Sequence, residues 1–481
     1  MARKTTLNIK SLEALGPERL ARLLMDISKG KPALKRQLRM ALAASKGGKT
    51  LIASVRKRLG ELGRSKSFID WNKAKAFTAE IEDLRRIICE DVGRDDPVDA
   101  IDLLWDFLGI AASCYERCDD SNGYMSDVFH EASGNMGLLA EGVQLDAQLL
   151  SQRLFSAYQD NGYGQYDYSI SILAPSLGKD GLLHLRTLFT DWQASLKTTK
   201  NKQRDSKSYY AQIAIQEIAD ALGDVQAFRD QYSPEMQKRP GIAADIAVRY
   251  LKGKQPQAAM QVLDEVAEVP DLAQEIASGR RCDLSWHEAR ITALEALDKQ
   301  DEAQALRWEV FMASLNADIL KTHLDRMTGF EDVAAEEAAL EHAVTYPDVY
   351  RALHFLISWR HKEAGYKPSK ALALDMAATL IKSRYAEING RHYELLAPAA
   401  SVLEVRHFLA SCLLHRSQID FALNNARSTR YKHAARHLRA CESLDDSIDD
   451  YGQHTPHTEY LASLKDQHGR KTSFWENYSL V

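Results

Sequence analysis

The sequence predicts an all-α fold, a helical-hairpin solenoid that becomes tetratricopeptide-like in its C-terminal half. Three observations carry that reading. Apolar residues recur at helical spacings of three, four and seven along most of the chain. Only 12 prolines occur in 481 residues, and alternating β-branched runs are scarce. Small residues gather on either side of short turns, where paired helices would cross. A chain this long exceeds one compact core, so several domains or a repeat array are expected. A hydrophobic fraction of 45% argues against wholesale disorder.

The helical pattern begins early. Pro17 suits a first turn, and Leu20, Leu23, Leu24 and Ile27 follow as one stripe. Gly30 and Pro32 close that helix and open the next, whose apolar face is Leu34, Leu38, Ala41 and Leu42. After Gly47-Gly48, a third helix carries Leu51, Ile52, Val55, Leu59 and Leu62. A longer helix runs from about Phe68 to Val92. Two polar loops follow, Asp119–Gly123 and Asp160–Asp167, both rich in turn formers. The stretch Lys197–Lys207 lacks apolar residues and reads as a linker.

Beyond it the texture is that of helical hairpins. Ala247, Tyr250 and Leu251 precede Gly253, then Ala258, Ala259, Val262 and Leu263 follow. The arrangement recurs with Trp286, Ala289, Ala293, Leu294 and Leu297, then Ala303, Ala305 and Leu306. The repeat of about 45 residues is looser than the roughly 34 of a regular tetratricopeptide array. Further helices are expected over 347–364, 368–387, 401–425 and 431–444, and the apolar tail Phe474, Trp475, Tyr478 and Leu480 should dock. The expected organisation is a basic helical region (1–75), a helical domain with two acidic loops (76–196), a linker (197–207) and a repeat domain (208–481).

Charge is uneven. The chain has net charge −5, yet residues 1–75 hold 19 Lys and Arg against five Asp and Glu, a net of +14, leaving −19 for the remainder. That asymmetry calls for an anionic partner at the N-terminus or for docking of the basic end on the acidic body. Six scattered cysteines, at 89, 114, 118, 282, 412 and 441, do not make a disulfide framework and fit a reducing, cytoplasmic setting. The first residues show no secretory h-region, and no apolar run approaches the roughly 20 residues of a membrane span.

Four constellations bear on chemistry. Lys35, Arg36, Arg39, Lys46, Lys49, Arg56, Lys57, Arg58, Arg64 and Lys66 supply cations that could track phosphates or an acidic partner; the plain alternative is a solvated face. Gly48-Lys49-Thr50 resembles the end of a phosphate-binding loop, but Ala43 stands where its first glycine belongs and a helix precedes it. His433, His437 and Cys441 share one helix face, a possible metal set that matches no standard zinc spacing. Asp119, Asp120, Asp127, Asp160 and Asp167 could form a cation or ligand site if their loops adjoin, although capping explains such loops without a ligand. No metalloprotease, serine-hydrolase or kinase signature occurs, so no catalytic residue and no cofactor is assigned.

Several segments resemble an uncharacterised bacterial family defined only as a domain of unknown function. They are Leu15-Gly16-Pro17-Glu18-Arg19-Leu20 through Ser67-Phe68-Ile69-Asp70-Trp71, Cys118-Asp119-Asp120-Ser121, Tyr163-Gly164-Gln165-Tyr166-Asp167, Arg430 through Leu438, and His468-Gly469-Arg470-Lys471. That family is similar to the helical portion of bacterial SWIM zinc finger proteins. The Cys-x-Cys…Cys-x-His pattern is missing here, so the finger and its role do not carry over. The resemblance implies a helical-repeat fold and no defined activity. The functional expectation is a binding or scaffold protein whose basic N-terminus meets nucleic acid or an acidic partner. The alternatives are a purely protein–protein scaffold or self-assembling subunit, and a metal-dependent hydrolase built on the acidic loops.

Overall fold

The computed structural model describes residues 8–197, 203–269, 271–278, 283–329, 331–359 and 368–480. No strand forms among them; one isolated bridge joins Ile69 to Cys118. The fold is all-α, as expected. It comprises two compact units, Met1–Ser233 and Pro234–Val481.

In the first unit, Pro17 and Pro32 open helices Pro17–Ser28 and Pro32–Ser45 at their first positions. The Gly48–Arg64 helix buries Leu51, Ile52, Val55, Leu59 and Leu62, the expected stripe. The Pro32–Ser45 helix departs from expectation. Leu42 is 62% exposed, and the inward side carries Arg36, Met40 and Ala43 instead. On that side Arg36 binds a half-buried carboxylate, Glu80. The next helix starts at Trp71, capped by Asp70, and passes at Ile87–Val92 into a π-helical turn. Phe68 lies outside it. The Ser169–Lys197 helix contains Pro175 and breaks at Gly178 (φ 56°, ψ −176°), a conformation open only to glycine.

Residues 198–202 of the expected linker lie outside the described residues. From Gln203 the chain is helical, and the Gln203–Leu222 helix packs along Ser169–Lys197. It supplies Ala211, Ala214, Ile215 and Ile218 to the first unit's core. The boundary between the units therefore follows Ser233 and not the polar stretch, because this apolar face completes the first core.

The second unit opens with the two expected hairpins, Pro240–Lys252 with Pro256–Asp264 and Ser285–Ala296 with Gln300–Ser314. Buried alanines at 243, 244, 247, 259, 289, 293 and 303 allow the close crossings. Trp286 Nε1 donates to Leu263 O at 3.3 Å and ties one hairpin to the next. The expected helix 401–425 is two helices, Tyr393–Leu403 and Phe408–Asn424. Helices expected over 347–364 and 368–387 are Val349–Ser358 and Pro368–Ser383, the latter followed by a 3-10 turn at Tyr385–Glu387; 360–367 lies outside the described residues. Phe408–Asn424 is the centre of this end of the unit. It is buried on most sides and takes Ser411, His415, Arg416, Ser417 and Gln418 inside with its apolar residues. The tail docks: Phe474 is fully buried beside Tyr431, and Arg439 lies over the Tyr478 ring.

Candidate functional site

The ten N-terminal cations divide into two groups. Arg36 and Arg58 both bind Glu80, and Arg58 also meets Glu61 at 3.0 Å. Arg56 meets Asp106 at 3.2 Å. These three brace the packing of Pro32–Ser45 and Gly48–Arg64 on the rest of the unit. Lys35, Arg39, Lys46, Lys49, Lys57, Arg64 and Lys66 are exposed and have no acidic partner among the described residues. Lys35, Arg39 and Lys46 stand four and seven residues apart, hence in one row along their helix. Lys57 and Arg64, seven apart, lie opposite the buried stripe of theirs. Just beyond, Phe68 and Trp71 are 75% and 78% exposed, flanked by Lys66 and Lys73. Gly48-Lys49-Thr50 begins a helix that follows a helix, so the segment is a helix–turn–helix connection.

The acidic loops approach each other through aromatic rings. Tyr115, just before the first loop, stacks on Tyr163 of the second at 5.3 Å. Three of their carboxylates are turned to local work. Asp120 accepts from the backbone N–H groups of Met125 and Ser126, at 2.9 and 3.0 Å, capping the Tyr124–Glu141 helix. Asp119 accepts from Ser121, which holds it below its ordinary range. Asp167 accepts from Asn161 Nδ2 at 2.7 Å, and Asp160 contributes its backbone oxygen to Gln165. Asp127 is exposed in the first turn of the capped helix. Close by, the sequence reading missed Glu217. Burial lifts its carboxyl to about 7, and Tyr158 donates to it. Its Ala/Ile-rich helix gives no sign that this acid faces inward.

His433, His437 and Cys441 do not act together. Cys441 is buried with its thiol toward Cys412 O at 3.6 Å. His437 turns to His415, with Nδ1 to Nδ1 at 2.9 Å, and burial pushes both imidazoles down to about 4. His433 is exposed. Among the described residues, no three His, Cys, Asp or Glu side chains stand together as a metal-holding group. Cys114 and Cys118 are buried free thiols. The sequence reading also missed Arg416, 2% exposed, which donates to Thr455 O and lies over the rings of Tyr460 and Tyr451 at 4.5 and 5.2 Å. The run Ser411 to Gln418, polar at five of eight positions inside an apolar helix, was the signal that could have found it.

No helix among the described residues is long and apolar enough to cross a membrane. No curated protein and no solved structure matches the chain. A family model described as a family of unknown function, DUF6880, matches residues 2–477. The chain, nearly end to end, belongs to that family.

Proposed function

We propose that this chain is a helical-repeat binding protein, without an enzymatic role of its own, whose basic N-terminal helices contact nucleic acid. The observation that carries the reading is the set of seven exposed cations with no acidic partner among the described residues, in a region of net charge +14. A row of such cations releases counterions from phosphates on binding. Exposed Phe68 and Trp71 offer π-faces beside Lys66 and Lys73, the supply that unpaired bases need. The stacked hairpins of the second unit support a tetratricopeptide-like solenoid as the scaffold. The reading places the protein in a bacterial cytoplasm, where its five described free cysteines stay reduced, and requires no cofactor.

A second reading rests on a different observation. Leu23, Leu24 and Ile27 lie uncovered along the Pro17–Ser28 helix, an apolar stripe that suits a protein partner or a second copy of the chain. The acidic loops favour no hydrolase, since the carboxylates of three of their five aspartates, Asp119, Asp120 and Asp167, are engaged in loop and cap hydrogen bonds.

Fluorescence anisotropy with labelled duplex DNA and single-stranded RNA tests the first reading. Wild type should bind at low salt, and the variant Lys35→Ala/Arg39→Ala/Lys46→Ala should bind both more weakly. Absence of binding by wild type removes nucleic acid. Concentration-dependent dimerisation lost on Leu24→Glu then establishes the second reading.

A further inference from the structure

The C-terminal histidines sit at a cavity that the binding role above does not use. It has a volume of about 330 Å³ and lies between the Gly390–His392 turn and the helices Tyr393–Leu403, Phe408–Asn424 and Tyr431–Asp445. Its polar wall is Tyr393, Gln418, Thr429, Arg430, His433 and His437, and no Asp or Glu lines it. The backbone packing that shapes it is tight. A Cβ on Gly390 would stand 2.1 Å from Ser417 O, so the turn rests directly on the central helix.

Each polar group is set for one role. The Arg430 guanidinium lies 3.8 Å over the Tyr393 ring and has no carboxylate partner among the described residues. Its N–H edge therefore remains available, while the ring holds its plane. Arg430 is also the N-cap residue of Tyr431–Asp445, a 15-residue helix entered through the 3-10 turn Ser428–Arg430, which takes the Tyr431 N–H on Ser428 O; with no side-chain cap at this end, the helix dipole adds to the same field.

The imidazole pair fixes a donor. His415 is 8% exposed and its Nε2 has no partner. A proton there would be a buried N–H without an acceptor, which costs more than a bare nitrogen. His415 therefore carries its proton on Nδ1 and donates to His437 Nδ1. His437, neutral, must then carry its proton on Nε2, a donor for the cavity it lines. His433, one turn earlier, faces the same space. Gln418 supplies the opposite function. It is 6% exposed and gives Nε2 to Leu414 O at 3.1 Å, while its amide oxygen has no partner among the described residues. Phe421 and alanines 397, 422 and 434 complete an apolar wall.

The geometry points to a binding site for a small organic anion, a phosphate or carboxylate on a compact apolar body. The anionic oxygens would meet Arg430 and His437 Nε2–H, within the field of the helix end, and a donor on the body would meet Gln418. The cavity size suits such a ligand, and a wall of donors without an acid excludes a cationic one.

Calorimetric titration of the full chain with phenyl phosphate, benzoate and benzyl alcohol is the test. Phenyl phosphate, benzoate or both should bind at millimolar concentration or below, and benzyl alcohol should not. Which anion binds identifies the head group. Arg430→Gln should weaken binding about tenfold, the loss expected for a charge-assisted contact. Lys35→Ala/Arg39→Ala/Lys46→Ala should leave it unchanged, separating this site from the N-terminal surface. Because Arg430→Gln also loses its stacking on Tyr393, Gln418→Met, which removes the free acceptor together with the Nε2–H bond to Leu414 O and leaves Arg430 in place, provides a second variant. It should weaken a hydroxyl-bearing probe, 4-hydroxybenzoate, more than benzoate. Failure of both anions to bind, binding equal to that of benzyl alcohol, or affinity unchanged in Arg430→Gln would overturn the proposal.

Discussion

The two units differ in the buried groups that titrate. The first encloses carboxylates, Glu80 between two arginines and Glu217 beneath Tyr158. The second encloses imidazoles and a guanidinium. His287, His323, His392, His407, His415, His437, His454, His457 and His468 are all held below their ordinary range, with burial the leading cause, and Arg416 is sealed between phenol rings. Surface charge and buried charge are therefore separate designs in this chain. The first unit lifts a buried acid, Glu217, and commits its buried Arg117 to backbone oxygens, whereas the second depresses a set of imidazoles and holds Arg416 beside Asp420.

The largest single-residue effect expected from this contrast is at Arg416. Its removal takes a cation from between two rings and from beside Asp420, a carboxyl that burial pushes up while Tyr460 and Arg416 pull it down. Arg416→Ala should cost about 4 kcal/mol, through poorer packing and the buried acid left behind. Urea unfolding followed by hydrogen exchange within 408–445 would measure it; a cost near zero would mean the guanidinium is dispensable.

The two units should also answer pH in opposite directions. Glu217 titrates near 7 in the fold against 4.5 when unfolded. The fold keeps a proton that the unfolded chain releases, so the first unit should lose about 3 kcal/mol as pH rises from 4.5 to about 7. His415 and His437 sit at about 4 against 6.5. The unfolded chain takes two protons that the fold refuses, so the second unit should lose about 3 kcal/mol for each imidazole as pH falls from 6.5 to about 4. Hydrogen exchange resolved by unit across this range would show it. Glu217→Gln should flatten only the first unit's response, and the same slope in both units would erase the contrast.

Glu80→Ala should have a smaller effect, about 2 kcal/mol, because Arg58 keeps Glu61 and Arg36, left unpaired, is only partly screened from water. A thermal melt that does not shift would show that Arg36 finds another partner.

Periodicity made the helices legible, since buried stripes such as Leu51 to Leu62 follow directly from a 3.6-residue repeat. It did not reveal which cations are free. Arg56, Lys57 and Arg58 are equivalent as letters, yet Arg56 and Arg58 reach Asp106 and Glu80, 50 and 22 residues away, and only Lys57 stays open. Long-range ion pairs leave no local trace. The polar composition before Gln203 misled for a related reason: the boundary depends on which core the Gln203–Leu222 helix enters. The cavity was half legible. His433 and His437 were visible as a helical pair, but His415 and Gln418 come from another helix, and only packing brings them together.

The salt dependence of nucleic-acid binding decides whether the N-terminal cations are kept open for phosphates. Wild type and Lys35→Ala/Arg39→Ala/Lys46→Ala would be titrated against the same duplex between about 50 and 200 mM salt. The log-affinity slope should be flatter in the variant by about 0.9 for each phosphate that the cations no longer neutralise, up to roughly 2.7 for all three, with little dependence on sequence. Equal slopes in the two proteins would refute that role, because they would mean that the open row of cations on the Pro32–Ser45 helix does not touch the nucleic acid.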